Sequence, residues 1–245
     1  MNWWRKVVNA GGTGGLNWHL HALTNRHRWM TSIAQLDHFL TGTRLPSYDH
    51  LLLIGCSAGW MMPPHWLQQF KRIDTFDIDP FARLLFGLRH GHALSRLGVA
   101  WQHHRMDALN HLNDLTLQHP HSVLWFDNLL GQLRYQNPRT EAVEQQLDLL
   151  KHQLQSHCWG SVHDWLSGPV DRSIRLSDVQ AEKAMASTAH QPEFAQGLLQ
   201  RLKAQGVWSD HLTSHVFPDN TTCLYLPWSF SQERWHWLQA GWVNL

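Results

Sequence analysis

Residues 51–165 alternate short apolar runs with stretches whose apolar residues recur every three or four positions. An uninterrupted apolar run is typical of a strand buried on both faces of a parallel sheet, whereas the three-to-four spacing is typical of a helix. Strands that alternate with helices predict a mostly parallel, doubly wound α/β sheet with helices on both faces. The predicted strands span residues 51–55, 73–77, 99–103, 122–126 and 159–164, and the predicted helices span residues 61–71, 80–94 and 139–156.

The pattern changes after residue 165, where the chain becomes polar and then turns to two longer strand-like runs. Pro218–Asn220 is a good turn sequence between those runs, so we predict an antiparallel hairpin at the edge of the sheet. Together with the parallel strands, this hairpin makes a mostly parallel sheet of seven strands. The other predicted elements are a helix-like stretch at 177–189, a helix at 193–205, the hairpin strands at 207–217 and 221–228, and a Trp-rich helix at 232–240.

Two segments outside the predicted parallel strands have the composition of mobile lids. The run Gly11–Gly15 and the polar residues 168–176 are hinge-like. We expect residues 1–48 and the inserted segment 168–192 to cover the cleft at the strand ends, because loops on a rigid scaffold usually set specificity. The alternative is that residues 16–40 only cap the far edge of the sheet. The predicted divisions are a helical N-terminal extension (1–48), a Rossmann-like domain (49–230) and a C-terminal Trp-rich helix (231–245).

The first predicted strand ends in a glycine-bearing turn that is typical of a cofactor site. Gly55 and Gly59 follow an apolar run, and glycine lets the backbone turn sharply and approach a ligand. Asp77 stands at the tip of the next predicted strand, 22 positions after Gly55, where a carboxylate can bind a ribose. This layout predicts a site for an adenosine-containing cofactor.

The composition limits the possible partners. The 20 basic and 19 acidic residues nearly cancel, so charge gives no reason to propose a nucleic acid or an anionic membrane as partner. No apolar run approaches the roughly 20 residues that span a bilayer, and the first residues lack the apolar core of a signal peptide. Cys56, Cys158 and Cys223 are scattered and odd in number, which argues against a disulfide framework. We therefore expect a cytoplasmic protein with reduced thiols.

Histidine and tryptophan are overused, with 20 and 15 residues respectively. Close pairs such as His19 and His21 have no Cys, Asp or Glu beside them at a recurring spacing, so we predict no metal site. Trp235, Trp237 and Trp242, if exposed on the C-terminal helix, would form a patch for a protein partner, because aromatic residues are enriched in interface cores.

Over about residues 50–228, these features together resemble the class I S-adenosylmethionine-dependent methyltransferases. The turn after the first strand is similar to their first motif, with Gly55 and Gly59 as its outer glycines and Ser57 in place of the middle one. Asp77 matches the acid that binds both ribose hydroxyls in that family. The resemblance implies S-adenosylmethionine as cofactor and methyl transfer to a small-molecule or protein acceptor.

The resemblance extends to two further segments. Met106–Leu109 is similar to the segment whose acid accepts a hydrogen bond from the adenine amino group, which implies Asp107. Asp127 and Asn128 follow the fourth strand, where the family places residues around the methyl group. The resemblance therefore implies these cofactor-binding residues: Gly55, Cys56, Ser57, Gly59, Asp77, Ile78, Asp107, Ala108, Asp127 and Asn128.

The chain departs from the family pattern in places that bear on function. The acid that helps to bind the methionine end of the cofactor is replaced by Leu53 or Ile54. A buried ammonium without a partner is costly, so another group must supply the charge, or the pocket no longer holds the cofactor. The fourth strand lacks an Asn/Asp-Pro-Pro-Tyr motif, so methylation of nucleic-acid bases is not indicated. A nicotinamide cofactor is the alternative, but Trp60 stands where its motif needs a small residue.

The candidate catalytic residues are Asp127, His163 and Asp164, because predicted strands of an open α/β sheet bind ligands at their carboxyl ends. Methyl transfer from a sulfonium is an in-line displacement, and a base is needed only if the nucleophile must lose a proton. Two alternatives stay open at these positions: His163 and Asp164 bond to backbone at the strand end, and Asn128 caps a helix. A second class of function also stays open, in which the fold no longer catalyses and serves as a binding or scaffold module.

Overall fold

A computed structural model describes residues 14–43, 48–137 and 139–244 of the chain. Within these residues a single sheet of nine strands forms the centre of the molecule. The strands are β1 (His50–Ile54), β2 (Arg72–Phe76), β3 (Ala100–His104), β4 (Val123–Asp127), β5 (Trp159–Pro169), β6 (Glu182–Met185), β7 (Ser209–Asp210), β8 (Thr222–Trp228) and β9 (Arg234–Val243). Their order is β3-β2-β1-β4-β5-β9-β8-β6, and β7 pairs with β5 off this path.

The first five strands form the parallel half of the sheet. β1 pairs in parallel with β2 on one side and with β4 on the other, and β3 and β5 extend the two sides. The prediction that the strands at 51–55 and 73–77 are parallel neighbours is confirmed. Chain order reverses between β1 and β4, and doubly wound sheets bind ligands at such a switch point, beyond the carboxyl ends of the strands.

Both faces of β1 and β4 are buried, which explains their uninterrupted apolar runs. Leu52 and Ile54 belong to the hydrophobic cluster on one face, and Leu51 and Leu53 belong to the cluster on the other. Because successive side chains of a strand point to opposite faces, a strand covered on both sides needs apolar residues at every position.

The antiparallel half differs from the prediction. β9 runs antiparallel between β5 and β8, and β6 pairs with the outer side of β8. The predicted hairpin between 207–217 and 221–228 is wrong, because the only strand in the first run is β7, which pairs with β5. The hairpin consists instead of β8 and β9. The stretch 177–189, predicted to be helical, contains the edge strand β6.

The predicted Trp-rich helix at 232–240 is also wrong, because these residues contribute to β9. The C-terminal residues 231–245 are therefore no separate helical unit: their described part pairs in the middle of the sheet. Trp235, Trp237 and Trp242 are at most 6% exposed. The proposed surface patch of these three tryptophans is absent, since their side chains pack in the protein core.

The helices mostly follow the predicted positions with shifted ends. They are α1 (Leu16–Thr41), α2 (Pro64–Leu67), α3 (Ala82–Phe86), α4 (His92–Arg96), α5 (Leu112–Gln118), α6 (Leu133–Gln136), α7 (Thr140–Gln153) and α8 (Pro192–Arg201). A π-helical turn at Gly87–Gly91 joins α3 to α4. The helix predicted at 61–71 shrinks to one turn, because Pro63 is extended and Pro64 starts the helix. None of the described helices is both long and apolar enough to cross a membrane.

α1 is one continuous helix that packs against β8. Two buried donors fix it there: Trp29 Nε1 donates to the carbonyl of Ser229 (3.1 Å), and Ser32 Oγ donates to the carbonyl of Pro227 (2.7 Å). The first turn of α1 reaches the carboxyl ends of β1 and β2. The helix therefore covers part of the sheet and also contributes to the cleft described next. Of the hinge-like run Gly11–Gly15, the residues before Gly14 lie outside the described part of the chain.

Candidate functional site

The turn after β1 depends on two glycines. Gly55 and Gly59 have φ values of 73° and 61°, in the left-handed region that favours glycine. A Cβ atom at Gly55 would lie 2.9 Å from Leu129 Cβ, and one at Gly59 would lie 2.7 Å from His90 Nε2. Both positions therefore exclude a side chain, through backbone conformation and through space.

Ser57, at the middle of the turn, also has a positive φ (45°). Its backbone N–H donates to Asp77 Oδ2 at 2.6 Å, and its hydroxyl accepts a hydrogen bond from Trp18 Nε1 at 3.0 Å. These bonds hold a non-glycine residue in a strained conformation, which costs on the order of 1–3 kcal/mol. The turn is thus fixed from two sides, by β2 and by α1.

A cleft of about 610 Å³ opens beyond the carboxyl ends of β1, β2 and β4. This volume lies within the range of small-molecule sites, roughly 300–1,000 Å³. Of the ten residues predicted to bind a cofactor, eight line the cleft: Gly55, Ser57, Asp77, Ile78, Asp107, Ala108, Asp127 and Asn128. Gly59 shapes the turn without lining the cleft, and the Cys56 side chain is fully buried beneath it.

Asp77 connects the two loops that flank the cleft. Its Oδ2 accepts from the N–H of Ser57 (2.6 Å), and its Oδ1 accepts from the N–H of Asp79 (2.8 Å). Burial raises the pKa of Asp77 to about 6, although both hydrogen bonds act in the opposite direction. Each carboxylate oxygen has a second lone pair, so both remain able to accept a ligand hydroxyl.

Asp107 lies on the rim of the cleft, after β3. Its oxygens accept from the N–H of Leu109 (3.1 Å) and from Asn110 Nδ2 (2.9 Å), which fix the carboxylate against its own loop. Ala108 lies next to it and is buried. The side chain is exposed, so it can also accept a hydrogen bond from a ligand.

Asp127, the last residue of β4, is more buried than Asp77 and Asp107. It is 7% exposed, and its Oδ1 has no hydrogen-bond partner among the described residues. Burial, followed by the charge of Asp77, raises the pKa of Asp127 to about 8. A carboxylate that is buried without a partner is costly, so the folded protein keeps this group protonated up to about that pH.

Asn128 does not cap a helix. It has a φ of 50°, and its Oδ1 accepts from the N–H of Asp164 at 3.0 Å. This bond joins the end of β4 to the middle of β5. Asn128 is therefore a positioning residue between two strands as well as a part of the cleft wall.

His163 and Asp164 lie outside the cleft. β5 continues to Pro169, so both residues stand inside the sheet rather than at a strand end. His163 Nδ1 lies 2.9 Å from Ser161 Oγ, and its Nε2 lies 3.1 Å from Gln239 Oε1. Burial lowers the pKa of His163 to about 4, so the ring is neutral and bound on both sides.

Asp164 belongs to a buried cluster with His211 and His236, whose potential ligand atoms lie within 4.8 Å of one another. His236 Nδ1 is 2.6 Å from Asp164 Oδ1. His211 Nδ1 donates to the carbonyl of Gly131 (3.0 Å), and its Nε2 is 3.0 Å from Ser167 Oγ. The residue types are those of a metal site, yet three of the four ring nitrogens already have partners. The arrangement is that of a hydrogen-bonded network.

The sequence pattern missed the contribution of α1 to the site. Asp79 Oδ2 accepts from the N–H of Gly15 (2.7 Å) and lies 3.1 Å from His19 Nε2. Trp60 Nε1 in turn donates to His19 Nδ1 at 3.1 Å. Trp18, on the same turn of the helix, lines the cleft. No local signal could have identified these contacts, because they join residues about 40 to 64 positions apart.

The cleft is strongly acidic. Asp77, Asp79, Asp107 and Asp127 line it, whereas no Lys, Arg or His of the described residues does. The wall next to β4 and α6 is neutral and polar, and is formed by Asn128, Gln132, Tyr135, Gln136 and Gln146. The cleft therefore favours cationic and hydroxyl-bearing ligands over anionic ones.

No family model and no curated protein matches the chain. It is similar to the solved structure of magnesium protoporphyrin IX methyltransferase from Synechocystis PCC 6803 with bound SAH, at 14% identity and a TM-score of 0.46, over 97% of this chain and 92% of that one. A putative O-methyltransferase from Klebsiella pneumoniae is 14% identical, with a TM-score of 0.42, over 91% of this chain and 88% of that one. The N-methyltransferase NodS from Bradyrhizobium japonicum WM9 in complex with SAH is 10% identical, with a TM-score of 0.35, over 97% and 91%.

These similarities concern the fold alone, and the fold class rests on the strand order. The order β3-β2-β1-β4-β5, the switch point beside β1 and the antiparallel strand after β5 define a mixed, Rossmann-like α/β sheet. The mixed α/β sheet expected from the sequence is confirmed. The expected count of seven strands is wrong, because the sheet has nine strands and β6, β7, β8 and β9 pair antiparallel.

Proposed function

We propose that this protein binds S-adenosylmethionine in the acidic cleft and transfers its methyl group to an acceptor that enters beside α6. The acidic lining is the observation that carries the proposal. A nicotinamide dinucleotide would bring its pyrophosphate beside the carboxylates of Asp77, Asp79 and Asp107, and like charges at close range repel. S-adenosylmethionine has no phosphate and carries an ammonium and a sulfonium, so its charge complements the cleft.

Two carboxylates are suited to the adenosine part of this cofactor. Asp77 has one unused lone pair on each oxygen and would accept bonds from both ribose hydroxyls. Asp107, on the neighbouring loop, would accept from the adenine amino group. Gly55 lets the backbone approach the cofactor closely, because no side chain stands between them.

The acceptor side of the cleft supports a small molecule held by hydrogen bonds. Its amide and hydroxyl groups, from Gln132, Tyr135 and Gln136, carry no charge, and Tyr135 is 55% exposed at the rim. Neither His163 nor Asp164 lines this cleft. The proposed transfer therefore relies on alignment of the nucleophile with the methyl group and on exclusion of water.

The start of α1 completes the proposed site as a lid. Trp18 and Gly14 line the cleft, and the hydrogen bonds of Gly15 and His19 to Asp79 hold the helix in this position. A lid that excludes water suits a displacement on a sulfonium. Its movement with the cofactor is a testable part of the proposal.

Ligand titration tests the cofactor assignment. We expect S-adenosylhomocysteine to raise the melting temperature and to give a saturable calorimetric signal, because a ligand at 100 times its Kd stabilises the folded state by about 2.7 kcal/mol. NAD⁺ and ATP at the same concentrations serve as controls and should have no effect. Stabilisation by NAD⁺, or no response to S-adenosylhomocysteine, would contradict the proposal.

A second measurement separates an enzyme from a binding module of the same fold. The protein is incubated with S-adenosylmethionine labelled in its methyl group and with a cell extract divided into low-mass and protein fractions. Label in a low-mass product supports a small-molecule acceptor, and label in the protein fraction supports a protein acceptor. Cofactor binding without any transfer would favour the scaffold alternative.

A further inference from the structure

α1 exposes a row of mostly apolar side chains on the side that faces away from the sheet. We call this row the outer stripe; it consists of Leu16, Leu20, Leu23, His27, Met30 and Ala34, all of which are exposed. These residues recur every three or four positions, so they lie in one line along the helix. The four large apolar side chains among them are between 45% and 67% exposed.

The opposite side of α1 is also apolar, because it packs on the sheet. Trp29 and Leu36 are fully buried there and belong to the hydrophobic cluster on this face. A surface helix of a globular protein normally carries polar and charged side chains opposite its buried face. A long apolar row that stays exposed in the folded protein marks an interaction site.

The helical segment beside the start of α1 also exposes leucines. This segment runs from α3 through the π-helical turn to α4, and the ring of Phe81, just before it, lies 6.2 Å from the ring of His19. Leu84, Leu88 and Leu97 are between 59% and 63% exposed. Exposed leucines therefore occur on both of these neighbouring segments.

The same two segments carry positive charge and no acid. Residues 16–36 and 81–98 contain no Asp, Glu or Lys. Their arginines are Arg26, Arg28, Arg83, Arg89 and Arg96. These five charges exceed the net charge of +1 of the whole chain, so the remaining residues together carry a net charge of −4. The near-neutral balance of the chain therefore averages over a basic region and an acidic remainder.

The acids in contact with α1 do not neutralise these arginines. Asp79, below the first turn, is bonded to His19, and Asp37, on the helix itself, lies 3.2 Å from His65 Nδ1. Burial, followed by the charge of Arg26, lowers the pKa of Arg89 to about 10, so the two segments bring like charges close together. An anionic partner would relieve this repulsion.

We propose that the outer stripe docks on an anionic lipid surface, with α1 lying in the plane of the interface. Arg26 and Arg28 flank His27 in the sequence, so the helix places them on the two sides of the stripe, where they meet acidic headgroups. Leucines on one face of a helix with arginines beside them are typical of interfacial helices. The inference goes beyond the proposed function and does not rest on it, since lipid docking needs no ligand in the cleft.

A second copy of this chain fits the stripe less well than a lipid surface does. A two-fold dimer through this face would bring the Arg26 and Arg28 side chains of both copies together. Neither copy offers an acid on residues 16–36 to pair with them, and like charges repel. An acidic protein would satisfy the charge as well, so the test must separate these occupants.

Vesicle co-sedimentation of the full chain tests the assignment. The probes are vesicles of phosphatidylcholine alone and vesicles with about one third phosphatidylglycerol. Binding to the anionic vesicles should be at least about tenfold stronger than to the neutral ones, because each arginine near an anionic surface contributes about fivefold. High salt should weaken this preference.

Variants on the stripe are compared with variants on α7, which packs on the opposite face of the sheet. Leu20→Ser combined with Leu23→Ser should weaken binding to anionic vesicles by at least about tenfold, since insertion of a leucine side chain contributes a factor of that order. The matched control is Leu149→Ser, at a leucine that is 57% exposed on α7, and it should leave binding unchanged.

The charge is tested in the same way. Arg26→Gln combined with Arg28→Gln should reduce the preference for anionic over neutral vesicles by at least about tenfold. Arg139→Gln, at an exposed arginine just before α7, should not change it. Thermal melts establish that every variant is folded, so a loss of binding reports on the surface.

Three outcomes would overturn the inference. The first is a wild-type protein that does not bind anionic vesicles; if it is also a monomer, an acidic protein surface becomes the occupant. The second is an equal loss of binding in Leu149→Ser and in the Leu20 and Leu23 variant. The third is a wild-type dimer that dissociates in that variant, seen by analytical ultracentrifugation without lipid, which would assign the stripe to a second copy.

Discussion

At the scale of single residues, Asp127 works against the stability of the ligand-free protein. Its pKa rises from 3.8 to about 8 on folding, so between these pH values the folded state holds a proton that the unfolded state releases. A carboxyl group with a raised folded pKa stabilises the fold least at high pH. Its contribution to the free energy of unfolding therefore falls by about 1.4 kcal/mol per pH unit across this interval.

Asp127→Asn should therefore melt at a higher temperature than the wild type, and by more at pH 8 than at pH 5. Asparagine has no charge to desolvate, so the pH-dependent penalty disappears. The check is a series of thermal melts of both proteins without ligand from pH 4 to pH 9. A constant difference across this range, or a difference that shrinks toward pH 8, would contradict the sign argued here.

The site residues that could be predicted from the sequence are those that stand at the end of a predicted strand. Asp77 and Asp127 come at or just after the ends of apolar runs, so their place beside the cleft could be inferred from the sequence. His163 and Asp164 could not be placed, because no pattern in the chain predicts that β5 continues to Pro169 and encloses them. Asp79 could not be placed either, because its bond to His19 depends on how α1 packs.

At the scale of elements, β5 and β9 pack closely at Gly160, where there is no room for a side chain. A Cβ on Gly160 would lie 2.3 Å from the Trp242 ring and 2.6 Å from the Trp125 ring. These three residues belong to the contact between β4, β5 and β9. Two buried indole rings cannot move aside without disturbing the core around them.

Gly160→Ala should destabilise the protein by several kcal/mol or prevent folding, because the added methyl group overlaps both rings. Gly197→Ala is the matched control: Gly197 lies in α8 with nothing within 4 Å of the new Cβ. There alanine should stabilise the helix by roughly 0.5–1 kcal/mol. Chemical denaturation of the two variants measures both effects. Equal stability of the variants would contradict this account of the strand contact.

The first turn of α1 forms a second junction between elements. His19 is 3% exposed and bonds to both Asp79 and Trp60, whereas His27 on the same helix is exposed. We expect His19→Ala to increase amide exchange over residues 15–20 and to weaken S-adenosylhomocysteine, while His27→Ala changes neither. Loss of a buried hydrogen-bond partner costs about 1–3 kcal/mol. Unaltered exchange in His19→Ala would mean that the lid does not depend on this junction.

Two elements could not be predicted, for opposite reasons. β9 is buried on both faces: Trp235 and Trp237 join one hydrophobic cluster, and Leu238 and Trp242 join the other. Its polar residues Arg234, His236 and Gln239 are spaced irregularly, so the strand has no regular alternation to distinguish it from a buried helix. β6, in contrast, is a strand of four residues at the edge of the sheet. Its own residues do not favour a strand, and it is extended because it pairs with β8.

At the scale of the whole molecule, β9 joins the two halves of the sheet. β8 and β6 connect to the parallel half only through it, in the strand order of the described residues. We therefore expect the residues 234–243 to exchange their amide hydrogens as slowly as those of β1, near the rate of global unfolding. Early exchange of 234–243, well before β1, would show that the antiparallel half opens by itself.

The buried thiol of Cys56 lies in the glycine turn, so its rate of alkylation measures how often this turn opens. Burial, together with the charges of Asp77 and Asp127, raises the pKa of this thiol well above its ordinary value. Only a thiolate reacts with alkylating reagents, so the closed turn protects Cys56, and each reaction records one opening. Cys158 and Cys223 are buried elsewhere in the protein, so they react only when a larger part of it unfolds. Their labelling rates in the same sample serve as an internal control for that unfolding. When every opening leads to labelling, the reciprocal of the Cys56 labelling rate gives, in seconds, how long the cofactor loop stays shut.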